Sequence, residues 1–538
     1  MIFALLTPIL FTDRTFSTDW GNHFWLIWMQ GRNITDLGEP SYFLQSSLGA
    51  FYPYYAFYGG STYAALGVFS SLLSPEAAVV VGYAGALAAA YLGWTWIAVQ
   101  LGIRGWQSQL PGCIAITAPL AVTNLYGRGD IPEAIATSVI PLIAASALSM
   151  FRERRLRLSS AAVYVIGIAV LTGTHTLTLA WGTTFLLVCA ALLGACYWRL
   201  AVERTRRGLA VAGLTVLGAG INAWILVPLV LYHSRLVERQ PDPINLTAYT
   251  DPERLFSLLR DSGSPYPIVT ADINAQLPVL ALLWALFCGA AYWRFLAPES
   301  RRLALALLGL GATLLLLVLS PELIEELPQT LRFIQFPYRI LTYVDLVVVG
   351  LVTLALAAVQ RERSTALLPS LALACIAIFN FALSVDQIFS VRSWLNGRDE
   401  AHLSSATPPR SWYAPRQFAD GSAPLVEPTL DVAQLMVRRG EEEFTAVYPR
   451  GPAGTVETGI ATGSYFVDVS GARPAGRTAD GLMIIRLPRA SHPRRVVVDA
   501  ALEPAVVVGR WLSVAALIAA ATAALACMAR GRWRSHGR

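Results

Sequence analysis

Runs approaching 20 apolar residues, the length a helix rising about 1.5 Å per residue needs to cross a bilayer, recur along this chain. They fall at 77–100, 110–125, 132–150, 159–174, 176–197, 209–231, 275–296, 303–319, 340–359, 367–388 and 506–528. A soluble fold of 538 residues could not carry 55% hydrophobic and 14% charged residues without exposing large apolar patches, so the bilayer must be the solvent. The opening stretch 1–11 is too short to span comfortably, and it lacks the basic region and small-residue cleavage site of a secretory signal. It reads as a first helix truncated by a late start, or one completed by its neighbours. No repeat of fixed period is visible.

All 41 basic side chains counted as Lys plus Arg are arginine. The absence of lysine excludes Schiff-base chemistry, a Walker A site and a kinase-type site. The six cysteines lie inside apolar runs with no metal-ligand spacing, which removes an external disulfide framework and a zinc site. The arginines cluster between apolar runs, so they report topology rather than nucleic-acid binding. Counted from a cytoplasmic N-terminus, the clusters at 152–157, 199–207, 294–302, 361–363 and 530–538 all fall on the cytoplasmic side, as the positive-inside bias requires. The long polar segments 12–76, 232–274, 320–339 and 389–505 then all lie outside. The last of these opens with linker sequence at 404–409 and continues with strand-like runs at 444–448, 463–469, 482–487 and 496–499, parted by Gly and Pro turns.

The predicted architecture is therefore a polytopic α-helical membrane protein of about twelve transmembrane helices. It has a transmembrane domain over 1–388, a small β-sandwich-like domain over 389–505, and a final helix with a basic tail over 506–538. Both termini are placed in the cytoplasm and the β-domain outside it.

Four polar constellations on the outer side carry candidate chemistry. In the first loop, Asp19 and His23 stand four residues apart and share a helix face, suiting a general base and its hydrogen-bond partner; Asp13 is an understudy. The plainer alternative is that Asp19 caps the following helix. The loop continues through a dense aromatic run at 51–58, suited to the lipid interface or to sugar faces. Between two apolar runs lies Tyr126-Gly-Arg128-Gly129-Asp130-Ile-Pro132-Glu133, read either as a local Arg128 ion pair to Asp130 or Glu133, or as an anion site with Arg128 aimed at phosphate. Thr174-His175 sets a histidine where two helices meet. Finally, Arg332 and Arg339, with Tyr338 between them, stand on the outer side against the topological bias and need an anionic partner. Phosphate, lipid head groups and, for these arginines, Asp345 are the candidates.

At these residues the chain resembles the GT-C superfamily of membrane glycosyltransferases, closest to the bacterial membrane proteins labelled 6-pyruvoyl-tetrahydropterin-synthase-related, with a looser YfhO-like likeness. The landmarks are Asp19 to His23, Arg128-Gly129 followed by Glu133, Thr174-His175, and Gln335-Phe336-Pro337-Tyr338-Arg339, in family order over the first two thirds of the chain. The sequence departs from the family pattern at Asp130, where a small residue is common, and at Leu177, where a proline is common. The resemblance implies a GT-C fold and an inverting transfer of sugar from a polyprenyl-phosphate donor to an extracytoplasmic glycan or glycolipid acceptor, at the plasma (inner) membrane of a bacterium. It implies Asp19 as base, with His23 beside it, and Arg128, Arg332, Arg339 and His175 on the donor phosphate; Glu133 and Tyr338 would support them. No nucleotide or nucleic acid is involved, and a divalent metal is compatible with such a site but not indicated. A flippase or transporter of lipid-linked sugars, and a noncatalytic cell-envelope assembly protein, are the competing expectations.

Overall fold

The computed structural model describes residues 1–535 apart from 12–18, 43–54, 56–57, 154–156, 233–250, 259–274, 333, 335, 363–365, 391–422, 440–442, 462–466 and 501–503. Asp13, Gln335 and the 404–409 linker thus lie outside the described residues. Among those described, seven helices are long and apolar enough to cross a membrane: Pro75–Gln100, Ile131–Arg152, Thr176–Cys196, Pro298–Leu319, Pro337–Arg361, Leu367–Val385 and Pro504–Ala526. Each coincides with an apolar run of the sequence. Two further runs form the shorter helices Leu158–Gly173 and Val279–Ala291. The opening ten residues form the helix Ile2–Phe11.

The remaining two runs are not the straight spans that hydropathy predicts. Gly105–Ile116 and Pro119–Gly127 meet at 58°, and Thr205–Gly220 and Ala223–Tyr232 meet at 83°. Pro119 starts the second half of the first pair and cannot donate the hydrogen bond that would continue the helix behind it. At the second break the Asn222 side chain grips neighbouring helices: its Nδ2 donates to Thr172 Oγ1 at 2.8 Å and to the Ala169 carbonyl, and its Oδ1 accepts from Ser61 Oγ. An asparagine held by two other helices fixes a bend that composition alone cannot reveal.

The helix Pro337–Arg361 is the central one. Of its apolar window 83% is buried, against 17% for Thr176–Cys196, Pro298–Leu319 and Pro504–Ala526. Its residues Val347 to Val359 pack against Trp94, Ile114, Ala281 and Trp284 in the largest core.

Near the C-terminus the described residues build seven strands: β1 (Met436–Arg439), β2 (Glu443–Tyr448), β3 (Gly454–Ala461), β4 (Val467–Ser470), β5 (Arg473–Arg477), β6 (Leu482–Leu487) and β7 (Arg494–Ala500). They form two antiparallel sheets, β1-β2-β7-β4 and β3-β6-β5. Phe444, Ala446 and Tyr448 of β2, Val496 and Val498 of β7, Val456 and Ile460 of β3, and Met483, Ile485 and Leu487 of β6 share one buried cluster, so the sheets face each other across it. Alternating side chains turn inward as a half-buried strand requires. Tyr42, Tyr232 and Val506 join the same cluster and seat the sheets on the helical part. Tyr42 also donates to the Trp224 carbonyl at 3.1 Å and lies under the Arg510 guanidinium at 5.1 Å. β2, β4, β6 and β7 match the strand-like runs; β1, β3 and β5 do not, since Arg-, Gly- and Pro-rich edge strands carry little period-2 signal.

Candidate active site

The site grows from a break in helical geometry. A π-helical turn over Thr123–Gly127 ends at Arg128, and Gly129 follows at φ 71°. Only glycine suits both that left-handed backbone and the crowding, since a Cβ there would stand 2.7 Å from the Trp20 Cα. The Arg128 carbonyl accepts the Asp19 N–H at 2.8 Å, lacing this loop to the start of the helix Trp20–Leu37. Asp130 then caps the helix Ile131–Ser138, its carboxylate accepting the Glu133 N–H at 3.0 Å, with Pro132 in the first turn.

Arg128 is 1% exposed and holds the cluster together. Nη1 donates to Glu133 at 2.9 Å and to Asn124 Oδ1 at 3.1 Å; Nη2 donates to Asp130 at 2.8 Å and stands 3.7 Å from Asp19. The Tyr338 ring lies beneath the guanidinium at 5.7 Å. Arg339 reaches the same carboxylates from the central helix, 3.5 Å from Glu133 and 3.9 Å from Asp130. Its Nε is buried with no partner among the described residues.

Two histidines complete the cluster. His23 Nδ1 meets the Tyr63 hydroxyl at 2.5 Å, and Nε2 stands 3.6 Å from Asp130. The imidazole thus turns to Asp130 rather than to Asp19, the partner expected from their spacing. His175 caps the helix Thr176–Cys196, Nδ1 accepting the Thr178 N–H at 3.2 Å. With Nδ1 an acceptor, the neutral ring carries its proton on Nε2. Burial pushes this imidazole from its ordinary 6.5 down to about 4. The unfolded chain therefore takes up the proton near 6.5 and the folded chain near 4, so stability falls as pH drops through that window. Thermal unfolding in detergent should show this fall, and His175→Gln should flatten part of it.

Asp19, Asp130, His175 and Arg339 all sit at or within the first turn of a helix. Four helix N-termini consequently converge, and their partial positive charge favours the three carboxylates and any further anion. Three carboxylates against two guanidiniums leave the cluster with one negative charge when both histidines are neutral. Asp19 differs from the other acids. It occupies the N-cap position but makes no side-chain capping bond, and its side chain is 36% exposed where those of Asp130 and Glu133 are 1% and 4%.

Asp130, Glu133 and His175 also bring one ligand atom each within 4.8 Å of one another, a spacing a metal ion could use. Arg128 already pairs with one oxygen of each carboxylate, and Asp130 Oδ1 accepts the Glu133 N–H, so a cation would share these acids with the guanidinium.

Of the residues singled out in the sequence, Asp19, His23, Arg128, Glu133, His175, Tyr338 and Arg339 meet here. Arg332 does not join them; it is exposed and donates to the Leu327 carbonyl of its own turn. Arg128 is occupied by carboxylates and Asn124 rather than presented to a ligand, so the local ion pairs are what form. Asp345 pairs with neither Arg332 nor Arg339: six residues past Arg339 it lies about 9 Å further along the helix and on another face. Sequence reasoning passed over Asn124 and Tyr63, and took Tyr58 only as the end of the aromatic run; its ring lies between His23 at 6.2 Å and His175 at 5.4 Å. Asp130 had a signal, a capping residue ahead of Ile-Pro-Glu. No model of a protein family matches the chain, and no curated protein matches it.

Proposed function

We propose that the protein is a multi-pass membrane glycosyltransferase that moves a sugar, with inversion, from a polyprenyl-phosphate donor to an extracytoplasmic glycan or glycolipid. The observation that carries this reading is the convergence of ionisable residues from four distant segments on one point, where a single carboxylate, Asp19, remains accessible. Side chains such as Leu187, Phe287, Leu368 and Trp511, 66% to 76% exposed on apolar helices, support immersion in lipid. On this reading the helices form a GT-C frame of about twelve spans in a bacterial plasma membrane, with the cluster and the sandwich-like sheets on the extracytoplasmic side.

In the proposed reaction Asp19 takes the proton of the acceptor hydroxyl as its oxygen attacks the anomeric carbon. The bond from that carbon to the phosphate oxygen breaks, and polyprenyl phosphate departs with the electron pair. On this reading Arg339, whose Nε–H has no partner among the described residues, and the Nε2–H of His175 stabilise the leaving phosphate. Arg128 does not touch substrate; it fixes Asp19, Asp130 and Glu133 relative to one another. Convergence of four helix N-termini offsets part of the approaching negative charge.

A second reading, transport of an intact lipid-linked sugar, draws on the bent helix pairs, because transporters build their sites from broken helices. Proteoliposomes carrying labelled polyprenyl-phosphate sugars separate the two. Transfer yields free polyprenyl phosphate and labelled acceptor. Transport moves label across the bilayer with the donor intact, and neither outcome leaves a noncatalytic assembly role.

A further inference from the structure

One buried carboxylate lies outside the cluster. Asp345 on the central helix is 7% exposed, and its Oδ1 has no hydrogen-bond partner among the described residues. It borders a cavity of about 60 Å³ walled by Leu87, Ala90, Ile116, Leu125 and other apolar side chains, with Asn124, Thr137, Ser138, Thr342 and the Trp94 indole N–H as further polar neighbours. The Thr342 hydroxyl is likewise buried and unpartnered. An isolated carboxylate in such surroundings is strongly unfavourable unless a guanidinium, a cation or a proton neutralises it.

The guanidiniums are committed elsewhere, since Arg128 and Arg339 both serve Asp130 and Glu133. A hard cation requires about six oxygen ligands. Here Asn124 Oδ1 already accepts from Arg128, and the Thr137 hydroxyl donates to the Glu133 carbonyl, leaving chiefly Asp345 and Thr342. The Arg128 charge, 3.1 Å from Asn124 Oδ1, also repels a cation from this wall. A proton meets neither objection. Tyr83, Tyr91, Cys113, Tyr126, Arg128, Asp130, Glu133, Tyr338, Arg339 and Tyr343, the other titratable or charged groups on these segments, do not line the cavity.

The geometry points to an internal proton-binding site: the Asp345 carboxyl carries a proton and shares it with water in this cavity, with the Thr342 hydroxyl as a further partner. A water needs roughly 10–15 Å³, so the cavity admits several. Thr137 and Thr342 also border a smaller opening of about 10 Å³ that is lined by Glu133, His175 and Arg339. Two hydroxyls therefore stand between the Asp345 cavity and the ionised cluster. The site depends only on these contacts and is independent of the transferase reading.

Infrared difference spectroscopy of the purified full-length protein, wild type against Asp345→Asn at neutral pH, tests it. The expected result is a carboxylic-acid carbonyl band present only in the wild type, shifted downward in D2O and unchanged when sodium or magnesium chloride replaces choline chloride. A difference confined to carboxylate stretches, or an acid band that sodium abolishes, overturns the proposal. Thr342→Val leaves the carboxyl in place and should shift the same band upward, so the test holds even if the asparagine variant fails to fold; an unmoved band counts against the site.

Discussion

Arg128→Ala should be the most damaging single substitution in the cluster, lowering stability by about 3–5 kcal/mol, because it strips the main partner from two buried carboxylates. Arg339 cannot take over, standing 3.5 and 3.9 Å from those acids where Arg128 stands at 2.9 and 2.8 Å. Arg128→Lys should recover little. One ammonium cannot reproduce a planar fork that serves Glu133, Asp130 and Asn124 together. Thermal unfolding in detergent would show both variants melting well below the wild type, and an unchanged midpoint for Arg128→Ala would mean that the carboxylates are relieved in another way.

Asp19→Asn should do the reverse. Its side chain is 36% exposed, caps no helix and meets Arg128 only at 3.7 Å, so the amide should fold with a midpoint close to wild type. Sugar transfer should nevertheless fall by about 10²- to 10⁴-fold, the usual worth of a positioned general base. Asp130→Asn is the informative contrast. That side chain is 1% exposed, caps a helix and pairs with Arg128, so its loss should lower stability and activity together.

Hydropathy alone located the seven described helices long and apolar enough to cross a membrane, because a long apolar run has few alternatives to a buried or lipid-facing helix, but it read 12–76 as polar loop, where the helices Trp20–Leu37 and Gly60–Leu72 form. It missed the 58° and 83° bends, which depend on Pro119 and on Asn222 gripping helices 50 and 161 residues away in sequence. The strongest strands were visible through alternation; β5, with the sequence Arg-Pro-Ala-Gly-Arg, was not. At the site, residue types and spacing pointed to Asp19, Arg128, His175 and Arg339, yet they could not say which charges find one another. Arg332 and Arg339 look alike in sequence, but Arg339 enters the cluster from the first turn of the central helix while Arg332 bonds its own backbone. The Tyr63–His23 contact joins residues 40 apart with no motif to announce it.

The most direct test of the proposed transferase is the release of polyprenyl phosphate from polyprenyl-phosphate sugars by the purified protein, measured beside Asp19→Asn with folding of both verified. The expected result is acceptor-dependent release by the wild type and loss of that release in the asparagine variant at an unchanged melting midpoint. Equal release by the two proteins would contradict Asp19 as the base, and no release with any donor sugar would contradict the transferase itself.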